Sequence, residues 1–231
     1  MSWKVSDATL ADVPAITSIY SHDEPTPFIK LCLGSLNVLA LNFNQAARIA
    51  DSLQDSDEAW LVARDERNRI ASFAEWQMPR EEADTEEQMA EELAEAQEAY
   101  EDSIAPGMNS TLVVEFRHRV TKLRNDVLRG QRHYLLMNIG TAKASQQRGA
   151  ATALVKQTFD AADREQVAIY LDTDSDGAAK RLFDKLGFEE VGKFEIDLSK
   201  HGGQGWHSHV GMIRWPFSGG VTRVEEEGAV V

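Results

Sequence analysis

Tyr134 to Ala151, YLLMNIGTAKASQQRGAA, is the stretch that decides the fold. Tyr134 to Ile139 is mostly bulky and apolar, the composition of a strand buried on both faces. A short polar turn follows, and then Gly149, Ala150 and Ala151 open a long amphipathic helix with almost no side chain around its first turn. The leading N–H groups of a helix lack internal partners. With the helix dipole they attract anions, provided small residues let the ligand reach the backbone. Gln146, Gln147 and Arg148 add donors at the rim, so strand, turn and helix together predict a phosphate cradle.

Downstream, the spacing of Leu154, Val155, Thr158, Phe159 and Ala162 gives a helix over 152–164 with one apolar face. Val167 to Thr173 is the next strand. Asp174-Ser175-Asp176-Gly177 is expected to open a further helix with serine or aspartate as its cap. Leu182, Phe183 and Leu186 point inward from that helix, and Gly187 suits the left-handed turn that ends it.

Two motifs in this region carry a resemblance. Gln146-Gln147-Arg148-Gly149-Ala150-Ala151 fits the pattern Gln/Arg-x-x-Gly-x-Gly/Ala, and the run from Ala179 to Phe188, AKRLFDKLGF, is similar to Ala-x-x-Leu-Tyr-x-Lys-x-Gly-Phe. In this order and spacing they resemble the GNAT superfamily of N-acetyltransferases, most densely over 132–191. The resemblance implies an α/β fold with a mixed, mostly antiparallel, splayed central sheet flanked by helices. It implies acetyl-CoA as co-substrate and an amine of a small molecule or protein as acceptor. The backbone at Ile139, Gly140 and Thr141 would bond the pantetheine, and the amides from Gln147 to Thr152 would hold the pyrophosphate, with Gln146 at the rim. Lys143, Arg148, Lys180 and Arg181 are candidates for the outer phosphates. Phe183 stands where the family pattern has a tyrosine that protonates the departing thiolate, and Asp176 where it often has asparagine.

Attack on a thioester needs a neutral amine, so a group must accept its proton. Asp172, Glu75 and Asp174 are the carboxylates near strand ends or the expected cleft; Asp172 is preferred as the catalytic group, with Glu75 next. Glu75 lies between Ala74 and Trp76 in a strand interior. It faces either solvent or a cleft where burial would tune it as a base.

The chain has 231 residues, 42% of them hydrophobic, enough for a substantial core. Its formal charge of −14 argues against nucleic acid or an anionic membrane as partner; it either favours a cationic acceptor or merely maintains solubility. One cysteine, Cys32, excludes an internal disulfide and a Cys-rich zinc site. With neither a signal-peptide pattern nor a long apolar run, the expectation is a cytoplasmic protein, with nuclear access left open. A homodimer is compatible with the sequence.

From the N-terminus, Trp3 to Thr9 alternates as an edge strand, and Thr9 or Asp12 can cap the helix that follows. An apolar run to Leu33 and a helix from about Asn37 to Leu53 precede a hairpin, Glu58 to Arg64 and Arg69 to Gln77. Residues 80–131 are expected to be an inserted helical hairpin. The first arm is acidic, from Glu81 to Asp102, with Met89, Leu93, Ala96 and Tyr100 as its stripe. The second carries Val113, Phe116, Val120, Leu123 and Val127. Its basic residues either pair with the acidic arm or help form a lid over the acceptor site. Val191 to Leu198 and His207 to Trp215 are final antiparallel strands. Residues 1–217 thus form one domain, and 218–231 a flexible tail. His201, His207 and His209 offer nitrogen ligands, but no carboxylate neighbours them in sequence, so no metal is expected.

Overall fold

In the computed structural model, the structure describes residues 2–22, 25–36, 38–83, 85–91, 93–94 and 104–217. The expected tail, and Glu92, Ala96, Tyr100 and the other residues of 95–103 in the acidic arm, lie outside the described residues.

Seven strands form one open sheet in the order β1-β2-β3-β4-β5-β7-β6. The strands are β1 (Lys4–Asp7), β2 (Glu58–Arg64), β3 (Ile70–Gln77), β4 (His133–Thr141), β5 (Ala168–Asp174), β6 (Glu189–Asp197) and β7 (Trp206–Arg214). Only β4 and β5 pair in parallel; every other pairing is antiparallel. The expected mixed, mostly antiparallel sheet is therefore present. The crossover between β4 and β5 is α5 (Ala150–Glu165), the helix that begins at the small-residue turn.

The period-two pattern sorts side chains to the two faces as the sequence requires. Ala74 and Trp76 of β3, Tyr134 and Leu136 of β4 and Ile169 and Leu171 of β5 join Leu154, Val155 and Ala162 of α5 in the largest buried cluster. Full burial of a side chain such as Leu154 stabilises the fold by about 1.5–3 kcal/mol. On the opposite face, Trp60, Val62 and Phe73 pack under Ile16 and Ile19 of α1 (Val13–His22) and Ile49 of α3 (Val38–Ser52). Thr9 N–H donates to Asp12 Oδ2 at 2.8 Å, so the expected cap forms at a 3₁₀ turn, Leu10–Asp12, leading into α1.

That second face continues towards β6 under two further helices, α2 (Pro27–Leu33) and α4 (Ser110–Leu128). Phe28 and Cys32 meet Leu112, Val113 and Ile196 there. A Cβ at Gly192 of β6 would lie 2.6 Å from Leu123 Cδ1, so the absent side chain lets α4 lie directly on the strand. The basic arm of the insertion thus packs on the sheet. Its charges pair within the helix, Arg119 with Glu115 at 2.7 Å and Lys122 with Asp126 at 2.6 Å, or with the sheet through Arg124.

Candidate active site

β4 and β5 pair from His133 and Ala168 to Leu136 and Leu171, and no further. Beyond that point β4 bulges: Glu75 of β3 faces Asn138 while Trp76 faces Leu136, leaving Met137 unmatched. A bulge increases local twist and turns the strand aside. The divergence opens a cleft of about 260 Å³, bounded by Leu136 to Ile139 of β4, Leu171 to Asp174 of β5, Ala179, Phe183 and His209. A larger cavity of about 300 Å³ sits at the other end of β4, between Met78, Met89, Leu93 and Asn125, and holds none of the motif residues.

The expected cradle lies beyond the end of β4, at the start of α5. Gln147 and Gly149 both have positive φ, +60° and +85°, folding the turn tightly before α5. Gly149 is the N-cap and supplies no side-chain acceptor to the first helical amides. A Cβ at Gly149 would find only Trp3 Nε1, at 4.0 Å, so the space before the helix is open. The turn is pinned from β1's side by Trp3, whose indole N–H donates to Arg148 O at 2.9 Å. Uncapped amides, a positive dipole end and open space fit a diphosphate. Of the residues expected here, Ala150 is buried against the core, while Ala151 and Thr152 are half-buried on the first turn.

Ile139, Gly140 and Thr141 pair on one edge with Ala74, Phe73 and Ser72, leaving their other edge towards β5. Gly140 has a packing reason as well: a Cβ there would lie 2.4 Å from Phe73 Cε1. Thr141 Oγ1 is 2.9 Å from Ser72 Oγ. Gln146 Nε2 donates to Thr141 O at 3.4 Å, tying the turn to the strand end. Among the outer-phosphate candidates, Lys180 is engaged by Asp184 and Glu190, and Arg181 donates to Asp176 O at 2.9 Å. Phe183 is buried at the cleft wall with its ring edge-on to Phe188 at 5.5 Å.

Both catalytic candidates lie on the face covered by α1 to α4. Glu75 is completely buried. Arg48 of α3 binds it with both terminal nitrogens, at 2.6 and 3.1 Å, and Asn138 Nδ2 donates to it at 2.6 Å. Burial pushes the Tyr20 phenol upward, and the Glu75 charge adds to this; its hydroxyl accepts from Arg48 at 3.4 Å. Asp172 receives His209 Nε2 at 2.9 Å and Arg124 Nη2 at 3.4 Å. Burial would raise the Asp172 carboxyl, but the His209 hydrogen bond and the Arg124 charge outweigh it, and the group is held below the usual carboxylate range. For His209 burial acts downward, while Asp172 and Asp174 more than offset it and raise the imidazole.

Two sequence expectations need correction. The helix after β5, α6 (Ala178–Lys185), is capped by Gly177 with no side-chain bond, not by serine or aspartate. Ser175 N–H is taken by Ser208 O at 3.1 Å, so the sheet claims the backbone where a cap would form. His201 does not join His207 and His209; it pairs with Glu115 at 2.9 Å. A carboxylate does join those two histidines, however: Asp174, paired across the strands with His209. Arg48, Asn138 and Arg124 are not reached as site residues by the sequence reading, and His209 enters it only as a nitrogen ligand. The alternations Asp172-x-Asp174 and His207-x-His209 were the available signal for a shared strand face; nothing local marks Arg48 or Arg124.

Comparison with known proteins agrees with this geometry. The model of the acetyltransferase (GNAT) family matches residues 35–188. No curated protein matches the sequence. Among solved structures, a Drosophila melanogaster polyamine N-acetyltransferase superposes with a TM-score of 0.61 at 16% identity, covering 93% of this chain and 100% of its own. A Corynebacterium glutamicum histone acetyltransferase HPA2 and related acetyltransferase gives 0.58 at 19%, covering 96% and 100%. A Sinorhizobium meliloti phosphinothricin acetyltransferase in complex with AcCoA gives 0.53 at 15%, covering 98% and 95%. The chain belongs to the GNAT acetyltransferase family, and by that membership it is an acyltransferase. Among the described residues no helix is long and apolar enough to cross a membrane.

Proposed function

We propose that the protein transfers the acetyl group of acetyl-CoA to a primary amine carried by a small molecule or a protein. The observation that carries this reading is the divergence of β4 from β5 beside the uncapped start of α5. When bound, acetyl-CoA supplies an activated thioester carbonyl. The amides from Gln147 to Thr152 hold its diphosphate, and the free edge of Ile139, Gly140 and Thr141 aligns the pantetheine. The acceptor then enters from the face that carries Glu75 and Asp172.

A protonated amine has no lone pair, so that face must take a proton. Asp172 is a poor base, since both its oxygens are occupied and its charged form is favoured. It serves as a positioning group. Glu75 is buried with both oxygens held by Arg48 and Asn138, so to accept the proton, directly or through water, it must first be released by Arg48, whose side chain is 41% exposed. Phe183 cannot protonate the leaving thiolate. With an ordinary thiol pKa of about 8.5, departure as the anion costs little near neutral pH.

The same phenylalanine favours a second reading, a catalytically weak module that binds acyl-CoA without efficient turnover. Calorimetric titration with acetyl-CoA, CoA and an ATP control, followed by an amine panel, separates the two. Selective binding with acetyl transfer supports the enzyme; binding without transfer supports the module. No binding by folded protein removes both.

A further inference from the structure

We propose that Asp174, His207 and His209, at the C-terminal end of β5 and on β7, form a binding site for a divalent transition metal, Zn²⁺ above all. β7 places His207 and His209 two residues apart on one face, and β5 brings its last residue, Asp174, directly across from His209. Asp174 Oδ1 lies 3.7 Å from His207 Nε2 and 3.6 Å from His209 Nδ1. The three ligand atoms all lie within 4.8 Å of one another. Four-coordinate zinc with bonds of about 2.0–2.1 Å needs ligand atoms roughly 3.3 Å apart, so side-chain shifts of a few tenths of an ångström to about 1.5 Å close the site.

The arrangement leaves two buried ring nitrogens facing one carboxylate. Both imidazoles are more than nine-tenths buried, and both His207 Nε2 and His209 Nδ1 are without a hydrogen-bond partner. Buried polar atoms are ordinarily satisfied, and two orphans converging on one carboxylate call for a shared partner. His209 Nε2 is bonded to Asp172 Oδ1 at 2.9 Å, and Arg124 holds the other oxygen of Asp172. A metal would replace any proton on Nδ1, the ring atom that faces Asp174. A carboxylate behind a ligating imidazole is the usual support of a metal site. His207 is held by its ring, stacked on Phe28 at 3.7 Å.

Two nitrogens and one carboxylate oxygen suit zinc, and also cobalt or iron(II), but not calcium or magnesium, which prefer all-oxygen shells. Asp174 is 41% exposed, giving ions a way in, and with His209 it lines the cleft. The coordination position left open therefore faces the cleft, and would be filled by water or by a donor atom of the acceptor. Nothing here depends on the acetyl-transfer reading, because the site can be tested without acetyl-CoA or an amine.

The experiment uses the full chain, free of any affinity tag and treated with chelator. Zn²⁺ is titrated in competition with a chromophoric chelator, Co²⁺ is followed by its visible absorption, and Mg²⁺ is the control. The expected result is one tight Zn²⁺ equivalent, tetrahedral-type Co²⁺ bands and no Mg²⁺ response. His207→Gln, His209→Gln and Asp174→Asn should each weaken Zn²⁺ by about 100-fold or more. Asp172→Asn should weaken it by about 10–100-fold through the supporting bond. Circular dichroism verifies folding, and Asp174→Asn, at a partly exposed position, tests the site even if a histidine variant fails to fold. Absence of a saturable equivalent, or affinity unchanged by Asp174→Asn or by a folded histidine variant, overturns the proposal.

Discussion

Gly149 allows the cradle to be tested by two substitutions whose costs differ in kind. Its φ of +85° lies where an L-residue is strained, and a Cβ would meet nothing closer than Trp3 Nε1 at 4.0 Å. Gly149→Ala should therefore cost only backbone strain, about 1–2 kcal/mol. For a domain of this size that lowers Tm by roughly 2–4 °C per kcal/mol. The strain is present with and without ligand, so it largely cancels in affinity. Gly149→Glu carries the same strain and adds a carboxylate beside the diphosphate. Two like charges about 5 Å apart repel by ~0.8 kcal/mol at the dielectric of water and ~3.3 kcal/mol at an effective dielectric of 20. This corresponds to a loss of roughly 4- to 300-fold in affinity for each phosphate charge met at that distance. Calorimetric titration of both variants with acetyl-CoA, with melting curves for each, gives the comparison. If folded Gly149→Glu binds within about twofold of Gly149→Ala, the diphosphate does not sit at the start of α5 and the cradle is wrong.

Glu75→Gln removes the charge that faces Arg48 and places an amide against Asn138, costing about 1–3 kcal/mol of stability. If Glu75 takes the amine proton, kcat falls about 100-fold or more with acetyl-CoA affinity unchanged; an unaltered kcat in steady-state assays would leave the ion pair a purely structural role. Phe183→Tyr should raise kcat wherever thiolate protonation limits turnover, and pre-steady-state kinetics that show no change would place the slow step elsewhere. Gly192→Ala drives a methyl to 2.6 Å from Leu123 Cδ1 and should lower stability by about 1–3 kcal/mol, measured by denaturant titration. Burial would raise Asp12, but hydrogen bonds from Arg64 and Thr9 outweigh it and hold the carboxyl low. Its folded pKa is below the unfolded value of about 3.9, so its contribution is present above that pH and is lost as pH falls through the folded value. The Tm gap between the wild type and Asp12→Asn should hold steady from neutral pH to about pH 5 and narrow in stronger acid.

The central sheet and the small-residue turn before α5 were legible because their signals are local. The apolar run of β4, the small residues opening α5 and Gly187 after α6 each act through their own backbone, and no distant partner need be known. The polar cluster was not legible for the opposite reason. Glu75 is set by Arg48, 27 residues away, and Asp172 by Arg124 and His209, 48 and 37 residues away. Alternation left Glu75 facing either solvent or a cleft, and nothing local showed that a cation of α3 would bury it. The expected cap of α6 failed in the same way, since the sheet bond from Ser175 to Ser208 is invisible from either residue alone.

The insertion's basic arm is best understood through what it touches. Phe116 of α4 stands edge-on to His209 at 5.0 Å and tilted against Phe28 at 5.0 Å, while Arg124, about two turns further along the helix, reaches Asp172. Surface ion pairs contribute little, and those within α4 would form on any exposed helix. A guanidinium whose side chain is three-quarters buried, directed at a mostly buried carboxylate of the sheet, is different, since removing either partner leaves the other's charge with one fewer counterpart. The helix therefore belongs to the wall around Asp172 and His209, two residues that line the cleft. On the proposed reading, residues of its inner surface, and not only those of the motif strands, would limit which amines reach the cleft.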